Sequence, residues 1–267
     1  MKFHDTYARR TPFELAFPDA HRLEELIASV AEEAEQLGVD TRNRGAFMML
    51  GSVGSLLREL QPPEAGPETF QEYGAMAFHA FHFHRAGRPL FLVSTALARH
   101  LVEEEPGAGG VVPADLDAPG PAGYVQMPRN LFWMRPAPGS PAEPVDGLFW
   151  SLAGREVLHL LLALGLRDDR PGLAAVIVPE VPWTDAPHWL SAQMRATGRD
   201  FATTLPGGEL DGLYSIETAG EALKLVARLF RYVTALPESV ESHAPVQEER
   251  ESVSPSALPF ARVDHRA

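Results

Sequence analysis

The sequence predicts an α+β fold: N-terminal helices, a central antiparallel β-meander, a C-terminal helix packed back on the sheet, and a disordered acidic tail. Three observations carry this expectation. Apolar residues recur at spacings of three and four over residues 19–37 and again over 222–233, the period of a helix with one buried face. Short apolar runs separated by turn residues fill the stretch 123–178. From Pro237 onward the chain is rich in Pro, Ser and Glu with few large apolar residues, a composition that buries little surface.

The first helix is expected to start after Asp19, a good N-cap, and to place Leu23, Leu26, Ile27, Val30, Ala31, Ala34 and Leu37 on one stripe before Gly38 stops it. A second helix is expected from Gly45 to Leu60, apolar on all sides in its first half and carrying Gly51 and Gly54 at a propensity cost of ~1 kcal/mol each. Pro67 to Ala86 reads as a third helix, opened by proline and closed by Gly87, with apolar residues on two opposite faces. A helix apolar on two sides is central and covered on both.

Pro89–Ser94 then reads as a short buried strand and Thr95–Glu103 as a short helix. Residues 104–123 have no periodicity and are crowded with Gly, Pro and acids, the signature of a flexible loop. Five strands are expected at Gly123–Met127, Leu131–Arg135, Asp146–Leu152, Glu156–Leu164 and Leu173–Val178. The fourth is Leu-rich enough to fit a buried helix; the turn residues that flank it favour a strand. Thr218-Ala219-Gly220-Glu221 matches a capping box and opens the last helix, which ends near Ala235. Residues 1–236 are therefore expected to form a single domain and 237–267 a tail, in which Leu258-Pro259-Phe260 is the one apolar cluster.

Composition excludes several classes of function. The net charge is −13, and all the basic residues but Lys2 and Lys224 are arginines. So acidic a chain is not expected to bind nucleic acid, which demands clustered cations against phosphate. With no cysteine there are no disulfides, thiolate metal sites or cysteine nucleophiles. No apolar stretch is long enough to span a membrane, residues 1–5 lack the apolar core of a secretory leader, and the expected location is cytoplasmic. Zinc-protease, nucleophile-elbow, phosphate-loop and calcium-loop motifs are all missing.

Two constellations carry candidate chemistry. The run Phe78-His79-Ala80-Phe81-His82-Phe83-His84 holds three imidazoles, good ligands for a transition metal. At about 100° per residue, His79 and His82 share a helix face while His84 lies roughly 140° from His79. Only His79 and His82 are therefore candidate metal ligands, and the cofactor is otherwise unknown. Packing of imidazoles against aromatic rings is the simpler reading of the same run. Glu156 and His159 have the spacing of half a di-iron motif, but on a strand they face opposite sides.

The second constellation is Trp183-Thr-Asp185-Ala-Pro-His188-Trp189. Asp185 and His188 are a candidate acid–base pair, and Trp183 and Trp189, with Arg129 and Arg199 from other irregular segments, are candidate binding residues. A loop anchored by its tryptophans accounts for the same residues without chemistry.

Two functions follow. The first is a non-catalytic interaction or scaffold protein that binds a protein partner, which the absent catalytic motifs favour. The alternative is a small-molecule enzyme, either metal-dependent through the His79/His82 region or acid–base through Asp185 and His188. Convergence of His79, His82, His159 or His188 in one open pocket would favour the alternative.

Overall fold

The computed structural model of the protein describes residues 7–61, 66, 70–103, 118–134, 141–153, 157–164, 174–182, 214–216, 219–246 and 254–266. In chain order these form α1 (Pro12–Ala16), α2 (Ala20–Leu37), α3 (Arg44–Met48), α4 (Val53–Leu60), α5 (Phe70–Arg85), β1 (Leu90–Val93), α6 (Thr95–Glu103), β2 (Ala122–Gln126), β3 (Phe132–Met134), β4 (Glu143–Ala153), β5 (Val157–Leu164), β6 (Ala174–Pro182), β7 (Tyr214–Ile216), α7 (Ala219–Ala235), a 3₁₀ turn (Pro237–Ser239), β8 (Val240–His243) and β9 (Phe260–Val263).

The sheet is mixed. Seven strands run in the order β6-β5-β4-β2-β1-β9-β8; β3 branches from β4, and β7 pairs with β3. Strands β4, β5 and β6 form the antiparallel meander read from the sequence, and β2 pairs antiparallel with β4. The expectation of a purely antiparallel sheet fails at β1, which is parallel to both β2 and β9. A parallel pair needs a crossover rather than a hairpin, and α6 begins the one that leads from β1 to β2. Its helix is short and a Gly/Pro-rich stretch follows it, so the βαβ pattern is weak in the sequence.

Each face of the sheet is covered by helices, because strand residues alternate. Phe149 stacks on Tyr124, with ring centroids 4.2 Å apart, and meets Phe13 at 4.5 Å and Phe83 at 5.4 Å on the side of α1–α5. Its neighbour Trp150 points the other way and meets Phe230 of α7 at 5.3 Å. Leu148, Leu160 and Leu162 join Trp150 against α6 and α7, whereas Phe149, Leu161 and Ala163 join the N-terminal helices. The two hydrophobic clusters thus share one sheet.

Helix α2 follows its sequence signals closely: Asp19 caps it, and Gly38 ends it at φ 64°, where a side chain would be strained. The single helix expected over 45–60 is instead two. Chain direction breaks at Met49–Ser52, where the Glu33 carboxylate of α2 accepts the backbone N–H groups of Gly51 and Ser52 and the Ser52 hydroxyl. A carboxylate from another helix thus takes the N–H groups at the break, which local propensity does not foresee. Helix α1 was not expected. Its signal was present, however: Thr11 and Glu14 form a reciprocal capping box around Pro12.

The tail read as disordered is in part structured, which corrects that expectation. β9 lies between β1 and β8, with Val263 and Phe260 buried. Glu14 of α1 accepts hydrogen bonds from the Ser256 hydroxyl and the Ala257 N–H, and Ser256 N–H donates to the Ala8 carbonyl. Low average hydrophobicity hides this because the strand is only four residues long, and β8 beside it is an edge strand whose exposed face is polar. Of the loop read over 104–123, residues 104–117 lie outside the described residues, and Ala122 and Gly123 belong to β2. The capping-box Thr218 also lies outside them.

Near the N-terminus, the buried Arg9 is clamped to β2 and β4. Its Nη2 donates to Asp146 Oδ1 at 2.8 Å and to the Met127 carbonyl at 2.8 Å, and the Gln126 side-chain amide bonds both backbone groups of Arg9. The Tyr124 hydroxyl donates to the second Asp146 oxygen. Among the described residues, no helix is long and apolar enough to cross a membrane.

Candidate functional site

Helix α5 runs between the other N-terminal helices and the sheet, and its two apolar faces carry the histidines inward. The centre of the site is the Phe78 ring. His82 lies 4.4 Å from it, His159 of β5 lies 4.9 Å away and His79 lies 5.6 Å away, all centroid to centroid. Phe47 of α3 closes the group edge-on at 5.5 Å. The structure thus brings together the two candidate ligands, His79 and His82, and adds His159 from across the helix–sheet interface.

Burial determines the charge state of these rings. His79 is 3% exposed, and desolvation, reinforced by His159, His82 and Arg44, holds its pKa well below 6.5. Desolvation likewise pulls His82 and His159 down to about 4. For His82 the carbonyl of Thr41, 3.0 Å from Nε2, opposes that fall in part. All three are neutral imidazoles at neutral pH, the form a metal needs.

Their geometry does not make a metal centre. A carbonyl only accepts, so His82 Nε2 carries the proton donated to Thr41, and the lone pair of this ring is on Nδ1. His79 Nδ1 is buried without a hydrogen-bond partner. Among the described residues no group of three or more His, Asp or Glu side chains is arranged to hold a metal ion. The cluster is packed aromatic–imidazole core, with Phe78 and Phe47 where an open pocket would need to be. His84, as the helix geometry required, faces away toward Glu24, 4.0 Å from it.

A surface cavity of about 370 Å³ lies next to His82, between the end of α2, the turn at 38–42 and α5. Ala34, Val39 and Phe81 form its apolar part, with Arg42, Arg85 and Glu35 among its polar lining. Asp40 and Arg42 pair at 2.8 Å beside it.

Of the remaining candidates, Arg129 is half-buried in the turn between β2 and β3, where Asn130 adopts φ 58° and its carbonyl accepts from the Trp133 indole. Asp185, His188, Trp183, Trp189 and Arg199 lie outside the described residues.

The exposed apolar surface was not foreseen. Among the described residues the large apolar side chains that stand exposed are Leu37 at 65%, Met49 at 85% and Phe70 at 50%. All three belong to the N-terminal helical layer. Leu37 is one helical turn beyond Glu33, and Met49 immediately precedes the segment that Glu33 caps. Met48 approaches Gly74, one turn beyond Phe70, so closely that a Cβ there would meet its side chain at 2.9 Å. Leu37 reads as core in the sequence because it continues the apolar stripe of α2; that stripe outruns the elements that cover it.

No family model matches the sequence, and no curated protein matches it. A solved structure it resembles is titled "Crystal structure of AcrVA2", with 9% sequence identity and a TM-score of 0.48 over 93% of this chain and 81% of that one. A likeness at that level assigns neither family nor function.

Proposed function

We propose that this chain is a non-catalytic interaction protein that binds a protein partner through its N-terminal helical layer. The observation that carries the reading is the placement of Leu37, Met49 and Phe70, three large apolar side chains left in water on one layer. Exposing such side chains forgoes burial of ~1.5–3 kcal/mol each, a cost that a partner's surface recovers on binding. The same layer presents Glu24, Glu25, Glu32 and Glu35 along the exposed face of α2. The occupant is therefore a protein surface with apolar anchors and a basic rim. The inward histidines support the reading from the other side, since their packing around Phe78 leaves no room for a substrate between them. We place this binding in the cytoplasm, in keeping with a chain that contains no cysteine.

Photo-crosslinking tests the proposal. A photoreactive residue at position 37 or 49 is expected to capture the same protein in cells, whereas one at Glu241 on edge strand β8 is expected not to capture it. The captured protein, purified, should form a complex of fixed stoichiometry with the native chain. Capture that is equal from all three positions, or a captured protein that fails to bind when purified, would contradict the proposal.

A further inference from the structure

The cavity of about 370 Å³ beside His82 has a fixed frame. Gly38 ends α2 at φ 64°, and the Val39 N–H then donates to the Ala34 carbonyl at 2.8 Å, which folds the chain back over the end of the helix. The Asp40 carboxylate accepts the Arg42 backbone N–H at 3.1 Å and its guanidinium at 2.8 Å, and the Asn43 N–H donates to the Asp40 carbonyl, so the turn is held from within. From α5, His82 Nε2 donates to the Thr41 carbonyl at 3.0 Å and ties the turn to the helix beneath it. The buried Ala34 and Phe81 and the half-buried Ala31 and Val39 give the cavity its apolar lining.

His82 adds one polar atom to that lining. With the ring proton on Nε2, the lone pair is on Nδ1, and among the described residues no donor reaches it. This atom is not sealed in the core, unlike Nδ1 of His79. The ring is neutral at neutral pH, since burial lowers its pKa to about 4, so Nδ1 is an acceptor there. Gly38, which lines the cavity, directly follows the exposed Leu37, so the cavity continues the apolar surface of the N-terminal layer.

We propose that this cavity receives a tryptophan side chain of the protein partner, with the indole against Ala34, Val39 and Phe81 and its N–H toward His82 Nδ1. An indole has apolar faces, one donor and no acceptor, the complement of an apolar lining that offers one lone pair. A phenyl ring would displace water from Nδ1 without replacing its hydrogen bond. Tryptophan is also enriched among the side chains that anchor protein interfaces, where it fills pockets already formed in the partner. The inference rests on the partner surface proposed above and names the anchor that surface takes.

The test is titration of the full-length chain with N-acetyltryptophanamide, followed by nuclear magnetic resonance of the His82 imidazole nitrogens. The probe should bind saturably with a Kd on the order of 1 mM, and the Nδ1 signal should move upfield as it accepts a hydrogen bond while Nε2 holds its place. The same amide methylated on the indole nitrogen, and N-acetylphenylalaninamide, should each bind about fivefold or more weakly. Ala31→Phe, which fills the cavity from its half-buried wall, should melt as the native chain does and lose the probe. No saturable shift at His82, equal binding of the methylated or phenylalanine amide, or unaltered binding by the folded A31F variant would each overturn the inference. The probe needs no partner, so any of these leaves the crosslinks at positions 37 and 49 to decide the surface itself. The captured protein, once purified, should bind A31F at least about tenfold more weakly than the native chain. Equal affinity would overturn the anchor while leaving the surface in place.

Discussion

At the scale of single residues, the three buried imidazoles decide how the protein responds to acid. His82 and His159 have folded-state values of about 4 against an ordinary 6.5, and burial holds His79 well below 6.5 too. The unfolded chain therefore binds more protons than the folded one once pH falls below about 6.5. Their neutral burial is fully compatible with the fold above that pH, and stability is lost as pH descends from about 6.5 toward 4. Urea unfolding at neutral and mildly acid pH should show this loss, on the order of a few kcal/mol in sum. His159→Gln should flatten the dependence, and a profile that is level across this window would refute the assignment. H79Q/H82Q is expected to leave the metal content of purified protein unchanged, because among the described residues no group of three or more His, Asp or Glu side chains is arranged to hold an ion. Loss of a stoichiometric metal in that variant would restore the metal reading. The run of histidines was legible in the sequence, as was the divergence of His84. Their convergence with His159 was not, since it depends on which face of β5 meets α5.

At the scale of elements, strand β2 and strand β4 are fitted to each other through glycine. Gly123 lies opposite Trp150, and a Cβ there would sit 2.1 Å from the indole. Gly123→Ala is therefore expected to destabilise the fold by about 1–3 kcal/mol through overpacking, read as a lower urea midpoint with the slope unchanged. An unchanged midpoint would mean that Trp150 can move aside. Strand and helix positions with a clear period were readable: α2 from its cap and its stripe, β5 from its flanking turns, and β4 to β6 from their spacing. What was not readable depended on partners remote in sequence. Glu33 splits the second helix through Gly51 and Ser52, and Glu14 and Ala8 hold the chain near Ser256. Neither contact leaves a periodic trace.

At the scale of the whole molecule, the ends of the chain close the structure. β9 lies between β1 and the edge strand β8, and Leu258 and Phe260 enter the core formed by α1–α5. Deleting residues 237–267 would expose the edge of β1 and remove Val263 from the opposite core. The truncated chain is expected to lose cooperative unfolding, measured by circular dichroism; a truncated form that melts as the full chain does would show the tail to be an accessory. Among the described residues of the tail, Glu238 and Glu241 are exposed. Among the described residues, the outer surface of the N-terminal helical layer is where large apolar side chains meet water, and the proposed partner binds there. The decisive measurement is the affinity of the photo-captured protein, once purified, for the native chain and for L37E/M49E. The double variant is expected to fold normally and to bind at least about a hundredfold more weakly, the loss of two anchor side chains; equal affinity for both would overturn the proposed interface.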